Sequence, residues 1–491
     1  MLAGLVSPSG ERTSGRVRMK TRWRGGWLLI AFLLASPVWA QDAHYWTRQF
    51  GNRAWLLGGA LLGDPADISA VYYNPGALVL VSNLELELTG NVFEYSRLAL
   101  VNGLGPGRDL TTSRFDALPA FIAGPLRFKW LGRARMGYAL LTRQGFETLL
   151  TRRDDFSGSN LLGIQGLEQL SSDVRLEHGV KELWAGVSWA YPLSRTLGVG
   201  ITPFLAGRQQ HANFLAISQG SGADGSSLLA AVSRDYRVQH LRLLAKVGVC
   251  YQRERWALGL TVTTPGLGLL GKGEVGLERA LSQQGLSFQG PERISDFQPS
   301  VRARFQSPLS VGLGGNILLG GTTLHAAMEV FARVPLFRLL DSDPIALSGP
   351  ERVLGSDVFY GSEPVVNAAL GAEHRVGDRL RVFLSVHTDF SAAIKLPNTS
   401  TLLATSDLYH VATGLHFPVR SSRVTVGTDL GWGRQSTQRF AELLALTGLP
   451  PPSETQRVHV FHATLIVGVT LGVGRDSEDT STRPDSDLEL P

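Results

Sequence analysis

Cysteine is all but missing: the 491 residues contain one, Cys250. No disulfide framework can brace such a chain and no thiolate metal site can form, so the lone thiol reads as a small packing residue. Also missing, beyond residue 40, is any run of the roughly eighteen apolar residues that a spanning helix requires. Mean hydropathy is only +0.04. A surplus of charge is missing too. The formal net charge is +5, but six of the 47 basic residues and one of the 42 acidic ones lie in residues 1–40, leaving 41 of each in the remainder. That balance carries no electrostatic footprint for nucleic acid. No G-x-S-x-G elbow, H-E-x-x-H pair or phosphate-cradling glycine loop occurs, so neither an enzyme nor a cofactor or metal is expected.

The ends of the chain differ from its body. "ERTSGRVRMKTRWRGG" is basic, "WLLIAFLLASP" is apolar, and "VWA" before Gln41 places small residues where a signal peptidase cuts. Residues 1–40 therefore read as a secretory signal peptide, and Met19 would start one of ordinary length. Residues 475–491 carry six acids against two Arg and no apolar period, which reads as a disordered periplasmic tail.

What is present is alternation. "NLELELTG" sets Leu84, Leu86 and Leu88 against Glu85 and Glu87. "HLRLLAKVGVCY" sets Leu241, Leu243, Ala245 and Val247 against His240, Arg242 and Lys246. Period-two segments of this kind are strands. Fourteen are expected, near 83–97, 114–128, 133–144, 178–191, 196–208, 236–252, 255–265, 304–318, 322–333, 364–375, 379–390, 405–418, 423–433 and 456–473. Long insertions follow the odd-numbered strands, and tight turns such as "PLSR", "RVGD" and "VRSS" follow the even-numbered ones. Long loops on one rim and short turns on the other mark an all-β, transmembrane antiparallel β-barrel, with both termini on the short-turn, periplasmic side. A soluble sandwich or propeller also alternates, but it has no need of that rhythm.

Fourteen strands enclose more space than their own side chains fill, so a lumen must be open or plugged. Residues 41–82 lack barrel alternation and end in "DISAVYYNPGAL", where Pro75 fixes φ, Gly76 permits φ > 0, and a turn follows. This stretch resembles the N-terminal hatch of the outer-membrane long-chain fatty-acid and aromatic-hydrocarbon transporter family (FadL-like). The shared pattern is carried by Asp67, Ser69, Ala70, Asn74 and Pro75, with Gly76 where the family usually has Ala. "WALGLTVTTPG" (256–266) and "FQSPLSVGLGGNI" (305–317) also look like barrel segments of that family. The resemblance implies a barrel over 83–474 and passive, hatch-gated uptake across the bacterial outer membrane. Hydrophobic substrate would be caught by outer loops, held in an apolar pocket and released when the hatch shifts. A kinked strand would offer a side exit, but no kink can be located in the sequence. Asp67, Ser69, Asn74, Pro75 and Gly76 would then shape the gate.

The segments "GLERALSQQGLSF" (276–288) and "RFAELLALTGLPP" (439–451) are leucine-rich for outer loops and have helix-like spacing. Leu277, Leu281, Leu443 and Leu444 are therefore expected to form an apolar vestibule for substrate capture. His240, His325, His387, His410, His416 and His462 fall mostly on the lumen face beside Glu329, Asp389 and Asp429, where a polar wall that pairs with itself is the expected role. Expected partners are a hydrophobic small molecule, outer-membrane lipid and lipopolysaccharide, and the barrel-assembly machinery. The rival reading is a plugged barrel that serves as a surface-binding or secretion partner without transport.

Overall fold

A computed structural model describes residues 44–103, 107–286, 292–346, 353–354, 357–394, 406–437 and 456–472. Fourteen strands, β1 to β14, follow one another round the wall, each antiparallel to its neighbours. The first six are β1 Leu86–Val101, β2 Leu110–Leu126, β3 Arg135–Ser157, β4 Gln169–Pro192, β5 Leu197–Ser221 and β6 Ser227–Gln252. The next four are each broken in two: β7 is Trp256–Thr263 and Leu267–Gln284, β8 is Glu292–Ala303 and Ser310–Leu319, β9 is Thr322–Phe331 and Val334–Asp341, and β10 is Val358–Ser362 and Val365–Val376. β11 Leu380–Asp389, β12 Leu408–Val419, β13 Ser422–Thr437 and β14 Gln456–Leu471 complete the set. β14 pairs with β1 from Leu471↔Leu86 to Arg457↔Val101, so the sheet closes on itself.

Side-chain polarity is the reverse of a soluble protein. Leu260, Leu313, Leu370, Leu384, Leu430 and Leu465 point outward and are exposed, while Arg242, Glu329, Glu373, Asp389 and Asp429 are buried inside. A closed sheet with an apolar belt and a polar interior satisfies every backbone group in lipid, and this is the outer-membrane design.

Strand length departs from expectation. Segments expected as loops over 145–177, 209–235 and 266–303 continue the wall instead: β3 runs to Ser157, β5 to Ser221, and the second piece of β7 covers Leu267–Gln284. There the pattern inverts, with charged groups such as Arg153 and Asp173 exposed and Leu150, Leu176, Phe214 and Val232 buried. The helix-like spacing of 276–288 is thereby corrected. Leu277 and Leu281 lie on a strand, because a spacing of four satisfies a period of two as readily as one of 3.6. Leu277 packs with Leu100, Leu110, Leu150, Phe214 and Val458, which come from well-separated strands, so the long-loop end is filled with apolar side chains from inside. Leu443 and Leu444 lie outside the described residues.

The four broken strands share one row. Thr263, Ser310, Phe331 and Val365 are paired in sequence across β7 to β10, and each strand is interrupted just beyond that row. At this seam the segment 304–309 leaves the sheet and carries Phe305 into the lumen.

Candidate functional site

The lumen is occupied by the N-terminal segment. It forms a short helix α1 (Asn52–Leu56), a second turn α2 (Ala70–Tyr73), and a 3-10 turn Pro75–Val79 before β1. Nearly all its residues are buried, and glycines of the wall make the room. A Cβ on Gly200 would come within 2.6 Å of the Pro75 carbonyl group, and side chains on Gly248, Gly259 and Gly468 would run into Asn74, the Leu62 carbonyl and Asn52. Glycine inside a strand marks this kind of close backbone approach.

Four of the five expected gate residues form polar joints. Asn74 is fully buried. Its Nδ2 donates to the carbonyls of Leu62 (2.7 Å) and of Val249 on β6 (2.9 Å), and its Oδ1 accepts from the Gly76 N–H (3.1 Å). Asp67 Oδ1 accepts from the backbone N–H and hydroxyl of Ser69 at the start of α2, and its other oxygen accepts from Arg53 at 3.2 Å. Pro75 opens the 3-10 turn, where its missing N–H costs nothing. Gly76 corrects the expected reason for its presence: its φ is not positive, and what excludes a side chain is the carbonyl of Gly248, 2.6 Å from where a Cβ would stand.

Ion pairs fasten the segment to the wall. Arg53 donates to Asp64 (2.9 Å) and Asp67, and to Glu373 on β10 (3.1 Å). Burial opposes its charge, but Glu373, Asp64 and Asp67 outweigh that and hold the guanidinium well above its ordinary pKa. Asp389 on β11 accepts from the backbone of Tyr45 and Trp46 (3.1 and 2.9 Å), from Thr47, and pairs with His44 (2.9 Å). Arg48 pairs with Glu94 on β1 at 2.9 Å, and the Trp46 indole donates to Glu329 on β9 at 3.0 Å.

Beside the plug lies a narrow cavity of about 50 Å³. Six rings, those of Tyr45, Tyr72, Trp184, Phe305, Phe331 and Tyr360, line it, and burial pushes the Tyr72 phenol up to about 12, so it stays neutral. Its charges are unequal. Glu182 is held by Arg208 (3.1 Å) and Arg242 (2.6 Å), and Lys246 faces Glu329 at 3.9 Å over the Tyr72 ring. Arg143 is buried against the rings of Trp184 and Phe50, and among the described residues no carboxylate pairs with it.

Arg143 also marks a break in the wall. It is the extra residue of a bulge between Thr142 and Gln144 in the β3–β4 ladder. Below it β2 and β3 pair from Leu126↔Met136 to Phe121↔Leu141. Beyond that point their described pairing stops, although β2 stays paired with β1 and β3 with β4. Side chains reach across the gap: Arg114 to Glu147 at 3.0 Å, and near the outer end Arg152 to the Asp109 carbonyl (2.6 Å) and Arg108 to Asp154 (3.1 Å). The space between the strands is lined by Thr112, Gly145 and Phe146 on the wall and reaches Glu94 and His462 inside. The sequence did not show this break. The polar run Thr142-Arg143-Gln144-Gly145, which interrupts the alternation of β3, was the available signal.

A closed barrel of fourteen strands, with an occupied lumen and a lateral break between β2 and β3 among the described residues, defines a plugged outer-membrane β-barrel. Its fold is that of the FadL-type hydrocarbon channels. The P. putida toluene transporter TodX superposes with a TM-score of 0.54 at 14% identity, covering 87% of this chain and 99% of that one. A Pseudomonas aeruginosa FadL homologue gives 0.53 at 11% identity, covering 88% and 100%. No family model matches the chain, and no curated protein matches it.

Proposed function

We propose that this protein is a passive outer-membrane channel for the uptake of hydrophobic small molecules, and that it favours amphipathic anions such as long-chain fatty acids over unsubstituted aromatic hydrocarbons. The observation that carries this reading is the aromatic cavity holding Arg143, a buried guanidinium that forms no ion pair among the described residues, at the foot of the β2–β3 gap. Glu182, Glu329 and Asp389 act on that guanidinium only from a distance, and a fatty-acid carboxylate can pair with it directly while its alkyl chain covers the rings. Entry lies at the long-loop end, where Leu277 and Leu281 belong to the apolar inner surface, and release is sideways through the gap into lipid. The sequence pattern suggests a hatch that shifts. The buried ion pairs of Arg53 and Asp389 favour instead a plug that stays seated and shapes the path, since breaking one buried pair costs about 3–5 kcal/mol. Lipid and lipopolysaccharide around the apolar belt, and the barrel-assembly machinery for insertion, complete the proposed surroundings.

The test is uptake of a labelled long-chain fatty acid and a labelled monoaromatic by cells expressing the protein or Arg143→Gln at equal surface level. Loss of a charged hydrogen bond worth about 1.5–3 kcal/mol should weaken fatty-acid transport by roughly ten- to a hundredfold and leave the aromatic unchanged. Equal loss of both, or of neither, would sink the carboxylate reading. No uptake of either class by the unaltered protein would sink transport itself.

A further inference from the structure

The lumen contains a cluster of side chains that neither the cavity nor the plug joints use. His387 on β11 and His410 on β12 face each other across the ladder with rings stacked 4.4 Å apart, and Asp429 reaches in from β13. One ligand atom from each of the three lies within 4.8 Å of the other two. Their relative exposures are 4%, 2% and 3%, so all are more than nine-tenths buried. A single hydrogen bond links them, His410 Nδ1 to Asp429 Oδ2 at 3.0 Å. Among the described residues, both nitrogens of His387, Nε2 of His410 and Oδ1 of Asp429 have no hydrogen-bond partner, nor has either nitrogen of His462 on β14, whose charge would be felt by Asp429 and His410. The other charged and titratable groups around them are His44, Asp389 and Glu94. Each buried polar atom left unpaired costs about 1–3 kcal/mol, so several around one point call for a shared partner.

We propose that His387, His410 and Asp429 form a binding site for a divalent transition-metal ion. Two imidazoles and a carboxylate are a donor set for zinc, cobalt, nickel or copper, whereas calcium and magnesium prefer oxygen alone. The two rings are stacked with their planes 12° apart, so both have to turn before their in-plane lone pairs meet on one ion at about 2.1 Å, with the Asp429–His410 hydrogen bond exchanged for bonds to the ion. His462 or a water supplies the fourth position. Three consecutive strands present the ligands, so the frame is rigid. The site is also tied to the plug: Gly58 rests on His387, where a Cβ would stand 2.8 Å from Nδ1, and His44 pairs with Asp389 two residues further along β11. All of its protein ligands belong to the wall, and the plug rests directly against one of them. Because His462 also lines the β2–β3 gap, the ion has a way in that does not require the plug to move.

The experiment uses tag-free, full-length protein purified in detergent, treated with EDTA, and titrated with cobalt. Expected are about one cobalt per chain, visible d–d absorption bands, displacement by zinc, and a higher melting temperature when loaded. In His387→Gln/His410→Gln the bands and the thermal shift should vanish. His416→Gln should keep both: His416 lies on the same strand but is bonded to Thr425, and it does not belong to the cluster. Heat-modifiable migration on a gel confirms a folded barrel in each case. Absence of cobalt bands in the folded, unaltered protein overturns the proposal and leaves water as the shared partner. Bands that persist in the double variant overturn it as well.

Discussion

Asn74 engages both ends of its amide, and each bond ties something different: Leu62 within the plug, Val249 in the wall, and Gly76 in the following turn. Asn74→Ala strands two backbone carbonyls in a buried place, at about 1–3 kcal/mol each. The expected result is a barrel that still forms and inserts but melts at a lower temperature and leaks ions in a planar bilayer. An unchanged conductance and melting point would show that the joint is dispensable. Glycine gives a sharper case. A methyl group at Gly259 would collide with the Leu62 backbone, whereas one at Gly207 meets nothing within 4 Å. Gly259→Ala should therefore reproduce the leak and Gly207→Ala should not. The sequence showed Asn74 and Pro75 as a break, because a residue before proline is pushed out of the helical region. It did not show why Gly76 is glycine. The reason lies in Gly248 and Gly198, far along the chain, and no local pattern encodes such an approach.

Among elements, β3 carries the break in the wall. One extra residue at Arg143 turns the strand away from β2 while keeping it paired with β4. If the gap is the exit, closing it should stop transport without disturbing the cavity. Arg114→Cys/Glu147→Cys places two thiols where an ion pair now spans the opening, and the native Cys250 is buried away from reagent. A bifunctional maleimide should then abolish most fatty-acid uptake, while two monofunctional maleimides should not. Undiminished uptake after verified cross-linking would place the exit elsewhere. Strand existence was legible because lipid on one side and a polar lumen on the other impose a strict alternation on every crossing. Strand ends were not, since beyond the membrane the outside becomes water and the inside apolar, and the same period continues with its meaning reversed. The seam across β7 to β10 was equally hidden: Pro265 and Pro308 signal local breaks, but only pairing brings those breaks to one row.

For the whole molecule, the count of strands, their closure and the polar interior could be read from composition and rhythm. The fit between plug and wall could not, since it is written in glycines and charges scattered from Glu87 to Thr470. That fit has a consequence in time. A segment joined to β1, β6, β10 and β11 by buried bonds, and seated against glycines with no slack for a side chain, cannot be threaded into a finished barrel. The wall has to be wrapped around it, and the β14–β1 ladder has to zip last. A barrel made without residues 41–82 should therefore conduct ions, and a synthetic 41–82 peptide added afterwards should fail to silence it. The same peptide present during refolding should be captured. On this view the N-terminal segment is a mandrel: the first part of the chain to take its place, and the form over which the rest is built.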